Sequence, residues 1–351
     1  MLPVEWPIAA GAADPPVEPA RAAGRDRLPV VRRDLFLDES ARLTEQERAL
    51  MSAMLGTLVD QLADEIRLGL PTDLLALVEA DRENIAARLW KSSALDRPAL
   101  ILLLLRRADE QLIAAACRAS RGFSDGGIVE RMVGDSDGAV ASAAMALAVA
   151  RGRRRDRFGH VGIEFDDVLP DEAQFLAHLV AAAIRKGVNN PSVAIDEAVA
   201  TAAERVLARH HESRRLDGRE LDLAQTLVTS RGADDQLIAT LAAQGEAAMI
   251  ATLCALRAGI APDTAWVLLI DNGAREAMLL ARLAELERPA AAALVAAFVE
   301  PLLWGEPADA IASFDRLSAH DIDAARRWWR LPPAYRAGVN IQGGGNGQPL
   351  D

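Results

Sequence analysis

The chain has 351 residues, is 51% hydrophobic but only 4% aromatic, and carries a net charge of −12. This length allows two domains or one elongated repeat array and needs no disulfide or metal to hold a core. The negative charge argues against a general nucleic-acid binder, which gathers positive charge to meet phosphates. Ala and Leu dominate the apolar residues; both are strong helix formers, so the chain reads as helical throughout.

Residues 1–24 hold five prolines and no apolar period, which predicts a disordered tail. Met1 to Ala23 has neither a basic start nor an apolar core, so no secretory signal is expected there. The wholly apolar run Pro98 to Leu105 falls far short of the roughly 20 residues that span a bilayer. Cys117 and Cys254 both sit in Ala-rich apolar stretches and read as buried free thiols of a reducing compartment. The expected address is the cytoplasm.

Thr44-Glu45-Gln46-Glu47 is a capping box, in which the Thr hydroxyl and the Glu carboxylate each accept a backbone N–H of the first turn. It opens a stripe of Met51, Met54, Leu55, Leu58, Val59, Leu62 and Ile66, which fits one face of a helix running to about Leu68, roughly 35 Å long. Such a stripe needs a partner: the first hairpin, or a second copy of the chain in a homodimer through the 44–68 helix.

Asp81, Asp109 and Asp135 then recur at intervals of 28 and 26 residues, each after an apolar segment and before an Ala-rich one. The spacing suggests an N-cap opening the second helix of each unit, and thus HEAT-like helical hairpins. Ala108-Asp-Glu-Gln-Leu-Ile-Ala114 returns as Ala233-Asp-Asp-Gln-Leu-Ile-Ala239 with six of seven residues identical, which extends the same expectation to the C-terminal half. The predicted architecture is all-α, with hairpin repeats forming two adjoining subdomains at 25–150 and 171–331. A basic linker at 151–170 would join them, and a flexible tail would follow from 332.

The linker holds Arg151, Arg153, Arg154, Arg155 and Arg157 against Asp156, a local charge of +4 in an acidic chain. These arginines could dock an acidic partner or a phosphate, or pair with the chain's own Glu164, Asp166 and Asp167. Only Lys91 and Lys186 are lysines, so an Arg at any one place carries little chemical meaning by itself. After Asp171, helices are expected at 172–186, 192–213, 218–230, 234–243, 246–257, 263–270, 273–285, 288–301, 306–316 and 319–330. Trp328, Trp329 and Tyr335 close the series, either as interface anchors or as the cover of the last hairpin.

The long capped helix Leu43-Thr-Glu-Gln-Glu-Arg-Ala-Leu to Leu58-Val-Asp-Gln-Leu, with Ile66-Arg67 behind it, resembles the start of the bacterial domain-of-unknown-function family 2336. Asp81 to Ser93 and Gly245 to Arg288 resemble later segments of that family, among them Met249-Ile-Ala-Thr-Leu-Cys-Ala-Leu-Arg-Ala-Gly-Ile260 followed by Val267-Leu-Leu-Ile-Asp271. The resemblance covers about residues 25–300 and consists of apolar positions. It implies an α-helical fold with HEAT-like hairpins and brings no catalytic residues. The chain departs from it at Met145 and Ala146, where a polar residue is expected.

No chemical motif stands out. His160, His178, His210, His211 and His320 do not fall in metal-binding spacings, neither Cys lies near a His or a glycine-rich turn, and no phosphate loop is present. The sequence therefore predicts no catalytic residue, no cofactor and no metal. It favours a protein-interaction scaffold or regulatory module whose partner is another protein, with Arg151–Arg157 and Trp328/Trp329 as the contact candidates. Two alternatives stay open: a nucleic-acid-binding or -processing repeat protein using the arginine run, and a small-molecule enzyme with an interdomain pocket.

Overall fold

The structure, a computed structural model, describes residues 44–79, 85–92, 94–121, 127–156, 159–188, 192–271, 273–332, 334–336 and 338–339. Over these residues the chain is all-α: its regular elements are α-helices, short 3-10 turns at Phe165–Asp167 and Glu212–Arg214, and a π-turn at Val267–Asp271. The one β-contact among them is an isolated bridge between Arg155 and Val161. Asp81, Arg157 and the tail expected at residues 1–24 lie outside the described residues.

The chain forms two compact units that are interleaved in sequence rather than successive. One joins the described part of Leu28–Leu112 to Ser142–Arg219; the other joins Ile113–Ala141 to the described part of Glu220–Asp351. The region 151–170, expected to be a linker, is internal to the first of these.

In that unit the helix Glu45–Leu68 starts at the capping box as expected: Glu47 N donates to Thr44 Oγ1 at 3.1 Å and Thr44 N to Glu47 Oε2 at 3.0 Å. Its apolar stripe is buried against Ile85–Lys91, Pro170–Lys186 and Val193–Leu207, whose own stripes include Leu176, Val180, Val199 and Val206. The seven stripe residues from Met51 to Ile66 are each at most 2% exposed, so the chain itself covers the stripe.

In the other unit, the helices Asp235–Ala243, Ala247–Ala258, Ala274–Leu283 and Arg288–Phe298 close a ring. The first packs on the second and the fourth, and the third packs on the second and the fourth. Stacked hairpins would instead set the first helix of one pair on the first of the next. Alanines line these contacts and let the helix axes approach closely. Pro307–Arg316 lies on the third and fourth helices, and Ala319–Trp329 on the third.

The recurrent aspartates do not share one role. Asp109 is buried in the middle of a continuous helix, Pro98–Arg121, rather than at the start of a second one. At the next helix the cap is Asp137, whose Oδ1 accepts Ala139 N at 2.8 Å, while Asp135 Oδ1 accepts Asp137 N just before it. Asp234 does cap Asp235–Ala243, accepting Leu237 N at 2.8 Å.

Candidate functional site

The arginine run starts as the last turn of the helix Gly138–Arg153, where cations suit the unpaired carbonyls of a helix end. Its members then separate. Arg154 is buried: Nε donates to Asp167 Oδ2 at 2.6 Å and Nη2 to Asp167 Oδ1 at 2.7 Å, a bidentate pair. Nη1 meets the Glu164 carboxylate at 3.2 Å and the Ala150 carbonyl at 2.8 Å. Asp167 also accepts the backbone N–H groups of Glu164 and Leu216, each at 3.0 Å. The pair thus clamps the helix end to the 160–169 turn and to the chain entering Leu216–Arg231. Arg154 is a strut and presents no surface to a partner.

Arg151 is half-buried and has an interaction of its own. Arg153 and Arg155 are exposed, and Arg155 Nη1 reaches the Gly159 carbonyl at 3.4 Å. Only these two arginines of the run face solvent among the described residues.

The helix leading to them has an unusual outer face. Val140, Ala144, Leu147 and Ala150 point inward, whereas Ser142, Met145, Val149 and Arg153 recur at helical spacing on the exposed side. Met145 is 48% and Val149 49% exposed, two large apolar side chains one turn apart that run into Arg153 and then Arg155. The arginines were legible in sequence. The apolar part was signalled only by Met145 standing where a polar residue was expected.

A second charged cluster was not foreseen. Arg107, 1% exposed, reaches Glu110 at 2.7 Å and also pairs with Asp217. Arg106 reaches Glu110 at 3.1 Å, and Arg215 reaches Asp217 at 3.2 Å. Burial opposes ionisation of Asp217, but the Arg107 and Arg106 charges and the Arg107 hydrogen bond outweigh it and hold the carboxyl well below the usual range. Three guanidinium groups share two carboxylates, each charge touching an opposite one, which suits an internal brace.

Elsewhere, burial pushes the Glu276 carboxyl up, against a backbone hydrogen bond and the Arg275 charge. Cys254 is fully buried and its thiol is pushed up to about 12 by desolvation, so it is a packing residue with little thiolate. Among the described residues no three His, Cys, Asp or Glu side chains gather to hold a metal ion.

At the C-terminal end, Trp328 is buried. Trp329 packs against a small cluster of Ala258, Leu279, Leu283, Leu317, Ile322 and Ala325. The Arg336 guanidinium lies 4.6 Å above the Trp329 ring, and its Nη2 is 3.5 Å from Thr264 Oγ1. The two tryptophans thus close this part of the unit.

No protein-family model, no curated protein and no solved structure matches the chain.

Proposed function

We propose that the protein is a non-catalytic interaction module that docks an amphipathic helix of a protein partner along the outer face of Gly138–Arg153. The observation that carries this reading is the pairing of exposed Met145 and Val149 with the exposed cation Arg153 on the same helix face, with Arg155 exposed just beyond the helix end. Half-exposed apolar side chains side by side on a helix gain by excluding water against a second apolar stripe. The partner chemistry follows from the charges: apolar anchors at i, i+3/i+4 and i+7, with Asp or Glu at the end that meets the arginines. Two buried free thiols, Cys117 and Cys254, fit the reducing, cytoplasmic setting expected from the sequence.

The test is site-specific photo-crosslinking in cells of the native host, with the crosslinker at Met145 and, as control, at the exposed Thr229. A single adduct from Met145 is expected, its crosslinked peptide amphipathic and acidic at one end, and lost in Arg153→Glu/Arg155→Glu. No adduct, the same adducts from Thr229, or a contact peptide without that pattern would overturn the reading.

A further inference from the structure

The C-terminal end of the chain carries a charge pattern of its own. From Ala324 to Leu350 the sequence has four arginines and no Asp or Glu, in a protein of net charge −12. Arg326 is neutralised by Glu285 at 3.1 Å and Asp323 at 3.4 Å. Arg327 and Arg330 are exposed and have no acidic partner among the described residues. Beside them Leu331 is 38% and Tyr335 59% exposed, and Arg336 is held over Trp329.

We infer that this end, centred on Arg327, Arg330, Leu331 and Tyr335, is a peripheral membrane-binding surface that meets anionic lipid headgroups. Uncompensated guanidinium groups attract the negative leaflet, while a Leu and a Tyr beside them have the amphipathic character of side chains that settle at headgroup depth. On Trp329, the face that a base would stack on is covered by Arg336. No spanning segment is required: among the described residues no single helix is long and apolar enough to cross a membrane. This inference stands apart from the partner-helix reading and uses none of its residues.

The full chain is sedimented with phosphatidylcholine vesicles containing about 30% phosphatidylglycerol, and with phosphatidylcholine alone, at low ionic strength. Binding is expected with the anionic vesicles only, and it should fade as salt screens the charges. Each arginine near a headgroup layer is worth about fivefold in partitioning, so Arg327→Gln/Arg330→Gln should bind about 25-fold more weakly. Leu331→Ser/Tyr335→Ser should also weaken binding, and all four sites are exposed enough to leave the circular-dichroism spectrum and thermal midpoint unchanged. Arg153→Gln/Arg155→Gln should bind vesicles like the natural protein. The inference is overturned if anionic vesicles bring down no protein or no more than neutral ones. It is equally overturned if the Arg153/Arg155 variant is the one that fails, or if a short single-stranded RNA or an acidic peptide binds this end and anionic vesicles do not displace it.

Discussion

Arg154 and Asp167 exchange two hydrogen bonds with both side chains almost wholly out of water, 2% and 1% exposed. Removing one member leaves the other charged in a low-dielectric site, which typically costs about 3–5 kcal/mol. Asp167→Ala should therefore lower unfolding free energy by about that much in urea titration. Arg153→Ala and Arg155→Ala should stay within about 0.5 kcal/mol of the natural protein, because exposed cations contribute little. Equal effects at all three positions would remove the distinction. In sequence the five arginines look alike, yet the phase of their own helix separates them: Arg154 lies four residues beyond Ala150 and seven beyond Leu147, on the buried side. The acceptor is one of the three acids that the sequence offers, Glu164, Asp166 and Asp167, but no periodicity selects Asp167, which a turn without a repeat brings to Arg154. Asp217 gives the second prediction at this scale. Its carboxyl is lowered in the folded protein, so its contribution is fully present above the unfolded value near 4 and is lost as pH falls through and below that value. Urea midpoints measured from pH 7 down to about 3 should fall less steeply for Asp217→Asn than for the natural chain, from a lower starting stability. Parallel curves would show that this carboxylate has no special pairing.

Four helix ends in the unit around the 235–298 ring close in the same way. Glu246, Ile260, Leu286 and Trp304 each donate their backbone N–H to the carbonyl five residues earlier, at 2.9–3.1 Å, and the residue before each is left-handed. Glycine fills that position at Gly245 and Gly259, but Glu285 (φ 56°) and Leu303 (φ 52°) carry side chains there. Leu303 is 89% exposed, so it makes little packing to set against the steric cost of its backbone. Leu303→Gly should stabilise the protein by about 0.5–1 kcal/mol, visible as a raised thermal midpoint. Gly245→Ala should do the reverse by about 2 kcal/mol. A Cβ there would stand 2.8 Å from Ala114 Cα and 3.1 Å from Cys117 Cβ, on a left-handed backbone. A stabilised Gly245→Ala or a weakened Leu303→Gly would mean these ends relax by another route. Where Gly or Pro punctuates the chain, element boundaries were legible to within a few residues, as at 234–243, 288–301 and 306–316. Two failures show why others were not. The expected 192–213 helix stops at Leu207, because Arg209 to Arg215 has no apolar residue to bury. The duplicated heptad 108–114 and 233–239 folds two ways: Gly232, left-handed at φ 79°, ends the preceding helix before Ala233, whereas Arg107 precedes Ala108 and lets the helix run on.

At the scale of the whole chain, composition settled the helical class, since a chain so rich in Ala and Leu has little to build a sheet from. It did not settle which helices belong together. The break in helical period after Arg151 suggests a domain boundary, but loss of period marks only a change of local structure. Contacts between residues far apart in sequence leave no trace in any single window. The consequence is testable by dividing the chain. Cutting between residues 150 and 171 separates Met51–Ile66 from Leu176, Val180, Val199 and Val206, the residues they are buried with. The same cut takes Ile128, Val129 and Met132 away from the unit they belong to, where Gln244 Oε1 accepts the Ile128 N–H at 2.6 Å. A stripe this apolar on an isolated fragment has no interior to enter, and helices alone in water are marginal. Fragments 1–158 and 159–351 should each show reduced helicity and a broad, non-cooperative thermal transition, and mixing the two should restore a sharp one. If 159–351 alone melts cooperatively at the midpoint of the full chain, the interleaved division is wrong and the successive one is right. Loss of cooperativity in both fragments, with recovery on mixing, would show that each unit is completed only by chain segments from either side of the cut.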